Sequence, residues 1–251
     1  MPIKLRTKGI ACVQTVLVTG ANRGIGFEIA RQYLARGAEV LACCRAPDKA
    51  QGLLDLRPRY PSLGIFKADM GDFSSLESLA YALKDKKIDL LINNAGSYGP
   101  KGIPEGKSYQ TFGAVDYQIW SDILRINLQA PLRMAELFVE NVAASAGKTI
   151  VMMSSELGSI AGNISAGQSY SYRSSKAALN MVTKGLALDL AGRGITVVAM
   201  APGWVRTDMG GRDIAALSPA ESVAGQISVL ASLQLKDSGS FVDYRGAKLP
   251  W

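Results

Sequence analysis

The stretch 15–26, TVLVTGANRGIG, limits what this chain can fold into more than any other. A short run rich in β-branched residues passes directly into a turn with glycines at 20, 24 and 26. Residues 24–36 then place Ile25, Ile29, Tyr33 and Leu34 on one side of a helix. A strand apolar on both faces and followed by a helix belongs to a parallel sheet covered on both sides. Gly20 allows a sharp exit from the strand, and Gly24 and Gly26 let the backbone approach a pyrophosphate while the helix packs against the strand. The helix N-terminus offers free N–H groups and the positive end of a dipole. The same turn could be only a tight strand–helix connection, but at the first such junction it predicts a dinucleotide site, with Asn22, Arg23 and Ile25 completing the turn.

The pattern repeats along the chain. Strands are expected at 39–44, 63–67, 88–93, 149–154 and 195–200, with a short last one at 240–242. Helices are expected at 47–56, 73–83, 117–143, 171–191 and 219–233, and irregular, glycine- and proline-bearing segments at 97–116, 156–169 and 202–217. The alternation never changes character, so residues 1–251 read as a single α/β domain of the Rossmann-type, doubly wound kind.

Composition removes whole classes of chemistry. The chain has no histidine, which excludes His-dependent triads and the usual zinc ligands, and no metal site is expected. Its three cysteines, Cys12, Cys43 and Cys44, are odd in number and two are adjacent in a strand expected to be buried, so a disulfide framework is not expected. The basic, then apolar N-terminus superficially suggests a leader, but its apolar run is short and leads straight into the glycine turn. With no apolar run long enough to span a membrane, the expectation is a cytoplasmic protein. Lys plus Arg exceed Asp plus Glu by 7, yet the charges are scattered, which argues against nucleic acid and is compatible with attraction of a polyphosphate cofactor.

The end of the second strand reports on the cofactor's adenosine ribose. NAD sites commonly place a carboxylate there, whereas this chain reads Cys43-Cys44-Arg45. Arg45 and Arg23 converging on a 2′-phosphate would suit NADP(H), with NAD(H) as the alternative and two ligand-free surface arginines as the bland reading. Tyr172 and Lys176 are four apart on an expected helix and share a face. An ammonium beside a phenol lowers the phenol's pKa and makes it a usable general acid or base. Tyr244 and Lys248 have the same spacing, but Gly246 and Pro250 argue against a helix there. Ser155 stands at the end of the fifth strand, where a hydroxyl could bond a substrate carbonyl, and Ser154 beside it is expected to point the other way. Asn127 is a poor helix former inside an expected helix, either an exposed or helix-bending polar residue ahead of Pro131 or a group that holds water or orients the lysine.

Thr19–Gly26, Asn93-Asn94-Ala95-Gly96, Asn127, Ser155, the Tyr172/Lys176 pair and Pro202-Gly203 together resemble, in order and spacing, the short-chain dehydrogenase/reductase family. The resemblance covers essentially the whole chain. Residues 172–181, 202–211 and 238–246 resemble the C-factor-like and sniffer-like carbonyl reductases within it. The resemblance implies a sheet of about seven parallel strands in the order 3-2-1-4-5-6-7. It implies Tyr172 as acid/base, Ser155 as the group polarising a carbonyl, Lys176 on the nicotinamide ribose and Asn127 holding a relay water. Asp69 with Met70 would contact adenine, Asn94, Ala95 and Gly96 would support the cofactor, and Pro202, Gly203, Val205 and Thr207 would line its nicotinamide end. The partner implied is a small-molecule carbonyl or alcohol. The chain would assemble as a homodimer or homotetramer through the helices at 117–143 and 171–191. Tyr98, Tyr109, Phe112, Trp204 and Met209, in the segments that follow strand ends, suggest an apolar or aromatic substrate or else pack those loops down. The rival readings are a cofactor-binding regulatory or signalling protein with little turnover, and a dehydratase or epimerase on the same fold.

Overall fold

Each strand sends alternate side chains to opposite faces, and here both faces are dry. Val16 and Val18 of β1 (Thr15–Thr19) pack into one apolar cluster and Leu17 into another. The same split divides β2 (Glu39–Cys44), β4 (Leu90–Asn93), β5 (Thr149–Met153) and β6 (Thr196–Ala201). With β3 (Leu63–Lys67) and β7 (Phe241–Asp243) they form one parallel seven-stranded sheet in the order β3-β2-β1-β4-β5-β6-β7. The structure is a computed structural model that describes residues 14–164 and 168–251. Cys12, the N-terminal segment weighed as a leader and part of the loop 156–169 lie outside the described residues.

Helices α1 (Gly24–Ala35), α2 (Gln51–Leu56) and α7 (Pro219–Ser232) cover one face, and α3 (Phe73–Ala82), α5 (Ala130–Ala143) and α6 (Tyr170–Asp189) cover the other. No helix among the described residues is long and apolar enough to cross a membrane. Because β1 pairs with both β2 and β4, the strand order reverses at the carboxyl ends of β1 and β4. A crevice opens at such a switch point, and ligands of open parallel sheets bind there.

Two expected helices are broken. The one at 47–56 is a 3-10 turn, Pro47–Lys49, followed by α2, because Ala50 between them is non-helical (φ −84, ψ 64). The one at 117–143 becomes α4 (Tyr117–Leu124), a π-helical turn (Arg125–Gln129) and α5. Pro131 has no N–H to close a helical bond onto the Asn127 carbonyl, and the widened turn accommodates that loss. Asn127 is thereby fully buried rather than exposed.

Candidate active site

The glycine turn is held open toward the crevice. Gly20 and Gly24 have φ of +67 and +56, which side-chain-bearing residues rarely adopt. A Cβ on Gly26 would lie 2.3 Å from the Gly20 carbonyl oxygen, so only glycine lets α1 start this close to β1. Arg23, the residue before α1, makes no side-chain cap, which leaves the first-turn amides for another acceptor. The Asn94 amide donates to the Thr19 carbonyl at 2.8 Å, and the Ala95 N–H donates to the Thr19 hydroxyl at 3.0 Å. These bonds tie the end of β4 to the turn.

The Ala21 N–H donates to the Cys43 carbonyl at 3.0 Å, which fixes the end of β2 beside the same turn. Arg45, one residue past β2, is exposed there. Asp69 and Met70 follow β3 on the same side: Met70 is buried, and the Asp69 carboxylate accepts from the Gly71 N–H at 2.9 Å. Arg23 does not behave as its sequence position suggested. Its guanidinium pairs with Asp208, in the loop after β6, at 3.3 Å. It therefore links the phosphate turn to that loop, whereas the expectation had it converging with Arg45.

The chemically reactive side chains come from three elements. Ser155 follows β5, and its hydroxyl accepts from the Leu157 N–H at 3.2 Å. Ser154 donates to the Asn180 side-chain oxygen at 2.6 Å, in keeping with a structural role. Tyr172 and Lys176 share the inner face of α6, both buried, with the Lys176 ammonium 5.8 Å from the Tyr172 ring centre. That ammonium donates to the Met153 carbonyl at 2.7 Å. The Asn127 side chain accepts from the Ser97 N–H at 2.7 Å and donates to the Ser97 carbonyl at 2.8 Å and to the Ser175 hydroxyl at 3.0 Å. Both of its hydrogens are thus committed to protein. A Cβ on Gly96 would stand 3.4 Å from the Asn127 oxygen and 3.6 Å from the Lys176 nitrogen, so glycine keeps space beside the lysine.

Electrostatics run against the expected direction. Burial pushes the Tyr172 phenol up to about 12, with the Ser155 hydroxyl pulling it down and Tyr98 adding to the rise. Burial alone pushes the Lys176 ammonium down to about 8. At this depth desolvation sets both directions, so the tyrosine is held as a proton carrier rather than made acidic.

Ser155 and Tyr172 open onto a cavity of about 490 Å³. Its wall toward the glycine turn and the loop after β6 includes Ile25, Pro202, Gly203, Val205 and Thr207, and the Ser222 hydroxyl on α7 holds the Pro202 carbonyl at 2.6 Å. Tyr98, Trp204 and Met209 line it as expected. Tyr109 and Phe112 do not: the Tyr109 hydroxyl donates to the Lys101 carbonyl at 2.9 Å, packing its own loop, and Phe112 is 90% exposed. The sequence reading missed Lys107 and Arg173 on this wall, and Gln110 behind it. Lys107 and Gln110 lie in no motif, and a lone polar residue in an irregular segment has no period to betray it; Arg173 fills an unspecified position between Tyr172 and Lys176. The second Tyr/Lys pair is not helical, since Tyr244 is in a turn and Lys248 bridges back to Val242.

Comparison with known proteins places this geometry. The sequence profile of the short chain dehydrogenase family matches residues 14–217. The C-signal protein of Myxococcus xanthus is 38% identical over 164 residues, 65% of this chain and 93% of that protein. The crystal structure of NADPH-bound carbonyl reductase from chicken fatty liver superposes with a TM-score of 0.86 at 36% identity, covering 95% of this chain and 99% of that one. The carbonyl reductase Sniffer of D. melanogaster gives a TM-score of 0.86 at 32% identity, covering 96% and 100%.

Proposed function

This chain belongs to the short-chain dehydrogenase family of oxidoreductases, and from that premise we propose that it is an NADP(H)-dependent carbonyl reductase in which Tyr172 delivers the proton. The observation that carries the reading is the convergence of Ser155 and Tyr172, with Lys176 behind them, on one cavity whose opposite wall begins at the glycine turn. The residues present fit the cofactor. The uncapped α1 amides with Gly20, Gly24 and Gly26 would take the pyrophosphate, Arg45 the 2′-phosphate, and Lys176 with Asn94, Ala95 and Gly96 the nicotinamide ribose. Asn22 and Arg23 flank the phosphates, Asp69 and Met70 the adenine, and Ile25, Pro202, Gly203, Val205 and Thr207 the nicotinamide end.

When bound, NADPH supplies the hydride. Ser155 then holds the substrate oxygen while Tyr172 gives that oxygen its proton, and the tyrosine is resupplied through Lys176 and a water held at Asn127. Preorganised hydroxyls in a dry cleft stabilise the developing alkoxide without reorganisation. Walls of Tyr98, Trp204 and Met209 favour an apolar or aromatic carbonyl compound. Exposed Tyr117, Met181 and Leu188 on α4 and α6 support a homo-oligomer. The test is NADPH consumption with 4-nitrobenzaldehyde. One alcohol formed per NADPH oxidised supports the reading; tight NADPH binding without turnover would favour a regulatory protein.

A pH dependence follows from the two buried groups. Reduction needs Tyr172 protonated and Lys176 charged. With the phenol near 12 and the ammonium near 8, the lysine is the first to lose its proton as pH rises. Reductive kcat/KM should be level below about pH 7.5 and decline through about pH 8. A profile that stays level to about pH 10 would remove the lysine's charge from the mechanism.

A further inference from the structure

The helix that carries Tyr172 begins in an unusual way. Its N-cap residue, Ser169, has left-handed backbone angles (φ 65, ψ 42) and makes no side-chain cap; its hydroxyl is instead hydrogen-bonded to that of Tyr98. First-turn amides need acceptors from somewhere. Those of Tyr170 and Tyr172 are met by one residue far earlier in the chain, Gln110. Its main-chain carbonyl accepts from the Tyr170 N–H at 3.0 Å, and its side-chain oxygen accepts from the Tyr172 N–H at 2.9 Å. The amide nitrogen of Gln110 donates to the Tyr98 carbonyl at 2.8 Å and to the Gly106 carbonyl at 3.2 Å, which fixes which way the amide faces. Gln110 is 0% exposed and does not itself line the cavity.

We propose that Gln110 is a positioning residue for the reaction: it sets the height of Tyr172 in the cleft and couples it to the loop that carries Tyr98. The inference rests on Tyr172 as the proton donor. Tyr98 is the second half of the clamp, since its ring lies 5.0 Å from that of Tyr172 and its main-chain carbonyl is held by the same amide. One side chain thus ties the substrate loop, the aromatic wall and the first turn of α6 together. A small loss of register there is costly, because proton transfer demands near-contact geometry.

The test compares the native chain with Gln110→Met and Gln110→Glu, using NADPH and 4-nitrobenzaldehyde, with kcat expressed per folded molecule. Methionine matches glutamine in length but neither accepts nor donates strongly. It should lower kcat roughly 10- to 100-fold, while KM for NADPH stays within about threefold. Protonated glutamate restores an acceptor for the Tyr172 amide and a donor for one carbonyl. Its kcat should return to within about threefold of native near pH 6 and fall as the buried carboxyl ionises. A methionine variant with native kcat overturns the proposal and leaves the role of Tyr172 standing. So does a glutamate variant whose pH profile simply parallels the native one, and this comparison decides alone if the methionine variant does not fold. A native chain that binds NADPH but turns nothing over removes the reading beneath both.

Discussion

Tyr172→Phe should abolish reduction, lowering kcat by about 10²- to 10⁴-fold, while NADPH still binds. The substitution deletes one oxygen and little else. The phenyl ring keeps its 5.0 Å contact with Tyr98, the backbone amide keeps its bond to Gln110, and the Ser155 hydroxyl keeps its bond from the Leu157 N–H. The groups proposed for the cofactor, from the glycine turn to Lys176, are untouched. Removing a buried phenol whose pKa stands near 12 also strands no charge, so the fold should tolerate the change. What is lost is the proton beside the substrate oxygen. Steady-state turnover with fluorescence titration of NADPH separates the two effects; near-native turnover would take Tyr172 out of the chemistry. A fall in NADPH affinity as large as the fall in kcat would assign the hydroxyl to binding instead.

Much of the architecture could be read before any coordinates, for a physical reason. A strand buried on both faces leaves an uninterrupted apolar run, and five such runs with two edge strands, separated by helical periods, allow few arrangements. The strand order is what the structure shows. Motif residues were legible because backbone geometry demands them: Gly26 has no room for a Cβ. What sequence could not give was anything decided by depth. Spacing put Lys176 beside Tyr172 but not both under enough protein for desolvation to reverse the expected pKa shift. Asn127 was marked as odd in a helix, yet the π-helical turn that buries it depends on Pro131 and on partners at Ser97 and Ser175. Arg23 was assigned by position, while its actual direction is set by Asp208, far along the chain. Gln110 was invisible, because its role consists wholly of contacts between an irregular loop and a distant helix.

Arg45→Asp should reverse the cofactor preference, weakening NADPH by about 100-fold or more while NADH stays within about threefold or improves. Arg45 follows the last residue of β2, whose Cys43 carbonyl is held by the Ala21 N–H of the glycine turn at 3.0 Å, so its side chain starts beside the glycine-turn end of the crevice. A guanidinium there can take a 2′-phosphate in a bidentate fork, the strong form of a charge-assisted bond. A carboxylate in its place repels that phosphate and instead accepts from a free 2′-hydroxyl, the arrangement common in NAD sites. Arg45 is exposed and in no ion pair among the described residues, so the substitution breaks nothing in the fold and its effect can be read as binding. Arg23→Ala provides the contrast. Its partner Asp208 shows it facing the loop after β6, and its loss should weaken both cofactors alike through their shared pyrophosphate. Dissociation constants for NADPH and NADH across the two variants decide between these roles. Equal losses in Arg45→Asp would move the 2′-phosphate contact away from β2. A selective loss of NADPH in Arg23→Ala would return to that residue the role its position in the sequence first suggested.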